Sequence, residues 1–140
     1  MTLAGVNHLG VLLAAIASFL FGGVWYSAFS QRSLADGDEP RLRYTRVRLN
    51  VNAVPFIVAF IALLLMAYVL AAVIGHLGLG QVTVRDGIIS ALFVWAGFVM
   101  TALVINHMVH RLSRTATLVD GAHWLGVLLI QGAVIGWIGV

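Results

Sequence analysis

The chain has 140 residues, of which 61% are apolar and 9% charged, with a mean hydropathy of +1.03; ordinary soluble domains carry about a quarter charged residues, so a soluble domain is excluded. The net charge of +3 rests on eight arginines, since there is no lysine. These arginines flank apolar runs, which sets anionic lipid headgroups ahead of nucleic acid as their partner. There is no cysteine, which excludes both a disulfide framework and a thiolate metal site.

Four apolar runs, at about 3–29, 51–75, 84–108 and 119–140, take up most of the chain. Each reaches the roughly 20 residues that a helix needs to cross a bilayer core. Hydrocarbon offers backbone groups no water, so spanning segments are helices or closed barrels, and continuous rather than alternating apolar residues select helices. The expected fold is all-α: a single integral membrane domain, 1–140, built as a four-helix transmembrane bundle.

In the first run, residues 1–8 hold no Arg or Lys, and the apolar stretch is longer than a secretory signal core. A retained helix is expected. Gly10, Ala14, Ser18 and Gly22 form one i, i+4 row of small residues that suits close helix packing. Trp25 and Tyr26 end the run as part of an interfacial aromatic belt.

The connection 30–50 is acidic around Asp36-Gly37-Asp38-Glu39-Pro40, where Pro40 should break any helix, and basic at Arg41, Arg43, Arg46 and Arg48. Cations interleaved with apolar residues suit a stretch lying on lipid headgroups, each contributing about 1 kcal/mol near an anionic leaflet. Seven of the eight arginines lie in this connection and the one after the third run, with Arg85 alone opposite. The positive-inside rule then puts both connections in the cytoplasm and both termini outside.

Pro55 opens the second run, where a missing N–H costs little. The glycine-bearing connection 76–83 is short, so helices two and three are expected to be antiparallel neighbours. Trp95 lies near the middle of the third run, too deep for the belt, and should fill space between helices.

In the fourth run Gly132 and Gly136 form a GxxxG pair, suited to packing within the bundle or to a homo-oligomer seam. Gln131 is the most polar midplane group and is expected to hydrogen-bond to another helix. At the arginine-rich end, Asn106 and His110 are four apart and Asp120 and His123 three apart, so each pair can share a helix face. His110, Asp120 and His123 are thus the candidate metal or proton ligands, although no strict ligand spacing is met and Asp120 also suits a helix N-terminus.

The middle of every run lacks Asp, Glu, Lys, Arg and His, which counts against a proton-coupled transporter with a central carboxylate. There is no nucleophile elbow, phosphate loop, HExxH or carboxylate pair, and the reading leans away from an enzyme. Bis-histidine haem would need a ligand on each of two helices, and His76 lies at the very end of its run. No cofactor is expected.

Asn7 and Leu9 opening helix one, Gly23-Val24-Trp25-Tyr26-Ser27 closing it, Trp95-Ala96-Gly97-Phe98-Val99 with Thr101, and Asp120-Gly121-Ala122-His123 leading to Gly132-Ala133-Val134-Ile135-Gly136-Trp137 occur in this order along nearly the whole chain. In these residues the chain resembles a family of small four-helix bacterial membrane proteins known only as domain of unknown function seventeen sixty-one. In that family proline often stands at the place of Ala28, and asparagine at that of Asp120. The resemblance implies the four-helix membrane fold and carries over no activity, catalytic residue or cofactor.

The expected function is a non-enzymatic accessory or interaction module in the inner membrane, packed into a homo-oligomer or larger complex and bound to anionic lipid. The alternative is a small oligomeric transporter or channel with Gln131, Ser18 and Thr101 lining a polar path. A metal- or haem-binding membrane protein ranks third.

Overall fold

The computed structural model describes residues 6–35, 53–78 and 80–139. The connection 36–52, with Pro40 and the headgroup arginines Arg41, Arg43, Arg46 and Arg48, lies outside the described residues. Four helices are present and each is long and apolar enough to cross a membrane: α1 (His8–Ala35), α2 (Val54–Gly75), α3 (Val84–Val109) and α4 (Arg114–Ile138). No strand occurs among the described residues. The chain is an all-α, four-helix membrane-spanning bundle.

Local chemistry explains where the helices start. Asn7 Oδ1 accepts the backbone N–H groups of Leu9 and Gly10 at 3.1 and 3.3 Å, satisfying two of the donors left open at the start of α1. Pro55 occupies the first turn of α2. At α3, Thr83 Oγ1 accepts from Asp86 N at 3.1 Å and donates to Asp86 Oδ2 at 2.7 Å, so the acid holds its own cap in place. Ser113 Oγ accepts from Ala116 N at 3.1 Å and starts α4 at Arg114, five residues before the apolar run expected at 119. The cap and a polar first turn extend the helix beyond its hydrophobic boundary. Thr83→Ala is expected to cost about 1 kcal/mol, with Thr83→Ser retaining most of it, read as unfolding free energy in mixed detergent micelles.

The helices run up and down, with α4 at the centre. It packs most extensively against α3 and α1, α1 and α2 come next, and α1 and α3 do not touch among the described residues. The expected pairing of α2 with α3 is present but is the sparsest interface. The cause lies in side-chain size: Gly87 and Ala91 of α3 and Gly132 and Gly136 of α4 let two backbones meet. A methyl group placed on Gly87 would strike the Gly132 carbonyl, one on Gly132 would strike the Gly87 carbonyl, and one on Gly136 would strike that of Thr83. The GxxxG pair is therefore engaged inside one chain. On α1, Ala14 and Ser18 are fully buried, and Gly10 and Gly22 approach Ile138 and His123 of α4.

Burial is inverted relative to a soluble protein. Small residues such as Ala14, Ala15, Ala67, Ala71 and Ala91 fill the centre, joined by Val11, Leu70, Ile74, Leu128 and Ile135, while Leu9, Leu20, Phe93, Phe98 and Met108 face outward. Lipid is as apolar as leucine, so close packing rather than hydrophobicity selects what lies inside.

Candidate functional site

Among the described residues, α4 holds polar side chains together at three places. The first is mid-bundle. Gln131 is fully buried, and its Nε2 donates to Ser18 Oγ at 3.0 Å and to the Leu63 carbonyl at 3.1 Å. Ser18 Oγ in turn donates back to the Ala14 and Ala15 carbonyls at 2.9 and 3.1 Å. One amide thereby ties α4 to α1 and α2, while its Oε1 has no hydrogen-bond partner among the described residues. Thr101, expected to share a polar path with Gln131 and Ser18, is exposed on α3 with its hydroxyl donating to the Gly97 carbonyl at 2.9 Å. The structure brings Gln131 and Ser18 together and leaves Thr101 apart.

The second place is the α3–α4 hairpin. His107 is buried, with Nδ1 2.9 Å from Thr117 Oγ1 and Nε2 3.5 Å from Asp120 Oδ2. From deeper in α3, Trp95 Nε1 donates to the carbonyl of Gly121, the residue after Asp120, at 2.8 Å. Trp95 opens a π-helical turn, Trp95–Val99, whose i→i+5 bonding takes in an extra residue and re-aims side chains within α3. Trp95 was expected to fill space; the hydrogen bond to α4 is an addition to that role.

His110, Asp120 and His123, the candidate ligands read from the sequence, do not converge. His110 caps the exposed end of α3, Asp120 faces His107, and His123 faces α1. Among the described residues no group of three His, Asp or Glu side chains is placed to hold a metal ion. His107 was missed as Asp120's partner, although a signal was present. A tight turn at 110–113 sets position 107 opposite 116–117 in any antiparallel hairpin, whereas the i, i+4 spacing drew attention to Asn106 and His110.

The remaining histidines lie elsewhere. His8 stacks on Tyr68 with ring centroids 6.3 Å apart. His76 Nδ1 lies 2.6 Å from the Ala72 carbonyl of its own helix.

The third place is a cage of rings where α1 meets α4. His123 is 5% exposed and is surrounded by Phe21, Trp25, Tyr26 and Trp124, with ring centroids 6.0, 6.4, 4.6 and 5.1 Å from its own. Two glycines make this interlock fit. A methyl group on Gly22 would come within 3.1 Å of His123 Nε2, and one on Gly126 would strike the Phe21 ring. Tyr26 Oη lies 3.5 Å from His123 Nδ1. His123 Nε2 and Trp25 Nε1 are both buried without a hydrogen-bond partner. From the sequence, Gly22 is a packing residue and Trp25 and Tyr26 belong to an aromatic belt; the structure joins them in one enclosure. The available signal was depth, since Trp25-Tyr26 and His123-Trp124 fall at the same end of two antiparallel helices.

Fold and polar contacts together define a multi-pass α-helical membrane protein whose buried polar groups are organised around one central helix. The chain belongs to the family described as "Protein of unknown function (DUF1761)", whose profile matches residues 9–136 and so includes all three polar places. Comparison with curated proteins and with solved structures gives no match.

Proposed function

We propose that the protein is a non-enzymatic accessory or interaction module of a bacterial inner membrane, with both termini outside and the basic connection between α1 and α2 on the cytoplasmic face. There Arg41, Arg43, Arg46 and Arg48 engage anionic headgroups, by the positive-inside rule and the attraction of an anionic leaflet. The observation that carries the interaction reading is the bareness of α3. Only 6% of its most apolar window is buried within the chain, against 28%, 28% and 39% for α1, α2 and α4. Phe93 and Phe98 are each 75% exposed on it. A helix held mainly along one glycine-lined strip offers most of its circumference to a neighbour, and buried surface between helices in lipid is gained by packing against such a neighbour.

A small oligomeric transporter would need its conduit between copies, because Gln131 and Ser18 are engaged with each other inside one chain. A photo-reactive phenylalanine analogue at Phe98, activated in native membranes, is expected to cross-link to a different polypeptide that also co-purifies in native mass spectrometry. Cross-links confined to lipid would remove the basis for the module. Cross-links to a second copy alone would transfer support to the oligomeric transporter.

A further inference from the structure

We propose that the ring cage around His123 binds the carbonyl oxygen of a neutral amphiphile, either a benzoquinone-type head group or a glycerolipid ester, admitted from lipid beside Trp25. The chemistry follows from which atoms lack partners. An indole N–H only donates, so the buried Trp25 Nε1 requires an acceptor. His123 Nδ1 lies 3.5 Å from Tyr26 Oη. In the tautomer that the proposal requires, Nδ1 accepts and the ring proton sits on Nε2, which makes the second unpartnered atom a donor as well. Two buried donors with no acceptor among the described residues are the complement of an oxygen.

The same rings provide the route. A cleft of about 310 Å³ on the outer face of α1 is lined by Phe21, Val24, Trp25, Ala28 and Phe29, at the small end of the roughly 300–1,000 Å³ usual for ligand pockets. Phe21 and Trp25 line this cleft and also pack against His123, so their rings stand between the cleft and the imidazole. Rotation of Trp25 turns its N–H toward the cleft and uncovers Nε2. Phe21, Trp25, Tyr26 and Trp124 are uncharged, which suits a neutral oxygen. Ring faces flank the position, which favours a flat or slender group. Tryptophan and tyrosine at helix ends sit at headgroup depth, where ester carbonyls and quinone head groups also lie.

The test uses the full chain, labelled with nitrogen-15 in micelles, following the Trp25 indole N–H and the His123 ring nitrogens by NMR. A short-chain benzoquinone and dihexanoylglycerol are titrated separately. One of them is expected to shift both resonances saturably, and which one does so assigns the source. Trp25→Phe, read on the His123 nitrogens, and His123→Phe, read on the Trp25 indole, are each expected to weaken binding about tenfold, the loss of one buried hydrogen bond. Trp25→Phe keeps an aromatic ring in place and decides the matter if His123→Phe does not fold. Resonances that neither compound moves, with indole and imidazole protons cross-relaxing to water, would assign the site to water alone and overturn the proposal. Equal binding by Trp25→Phe and the unaltered protein would also overturn it.

Discussion

Gly132→Ala is expected to push α3 away from α4 and to cost about 1–3 kcal/mol, the usual range for overpacking a tight interface. The new methyl would meet the Gly87 carbonyl oxygen and carbon and lie 3.1 Å from Ala91 Cβ. These are mostly backbone atoms, so no side-chain rotation relieves the contact and one helix must move. Gly136→Ala should behave alike, because its methyl meets the Thr83 carbonyl and the Val84 Cα. Gly23→Ala is the control. Nothing lies within 4 Å of a methyl there, and the residue is helical and exposed, so alanine should be neutral or stabilise by up to about 1 kcal/mol through helix propensity. Gly87→Ala combined with Gly132→Ala should cost less than the sum of the two singles, since one separation of α3 from α4 relieves both clashes. Reversible unfolding in mixed micelles reads all five variants, the Gly87→Ala single included. An unchanged Gly132→Ala protein would mean that the α3–α4 crossing is wider than described.

Such a crossing could be suspected from the sequence but not located. Gly132-x-x-x-Gly136 announces a close approach and leaves its partner open, because a small residue is complementary to any backbone. The matching signal on α3 is Gly87 with Ala91, also four apart, and only the two rows together make the pair. Sequence adjacency favours α2 as α3's neighbour, yet their interface is the sparsest of the bundle and α4 takes the contact. The four spans were legible because hydrophobic length is set by the bilayer and needs no tertiary information. Their polar ends were less so: α4 begins at Arg114 because Ser113 caps it, a signal that a count of apolar residues ignores. The ring cage stayed hidden for a different reason. Trp25 and Tyr26 already have an explanation as interfacial anchors, and only the α1–α4 register, seen in Gly22 against His123 and Gly126 against Phe21, turns a belt into an enclosure.

Gln131 offers the second large effect, because its carboxylate and thioether replacements should diverge. Gln131→Glu is expected to cost about 3 kcal/mol or more, the scale for an ionised group at mid-membrane depth. Ser18 and Leu63, its contacts, lie near the midpoints of their helices, and no cation faces the site among the described residues. Gln131→Met, of similar shape, should stay within about 1 kcal/mol of the unaltered protein. It loses the bonds to Ser18 Oγ and the Leu63 carbonyl, but Ser18 remains bonded to the Ala14 and Ala15 carbonyls. It also removes the unpartnered Oε1, a buried acceptor whose desolvation costs about 1–3 kcal/mol. If Gln131→Met instead loses several kcal/mol, the amide is the principal tie among α1, α2 and α4. The same variant separates structure from transport: a stable Gln131→Met protein that abolishes a solute flux seen with the unaltered chain in vesicles would place the amide on a conduit. Retained flux or no flux in either would leave Gln131 as a fastener between helices.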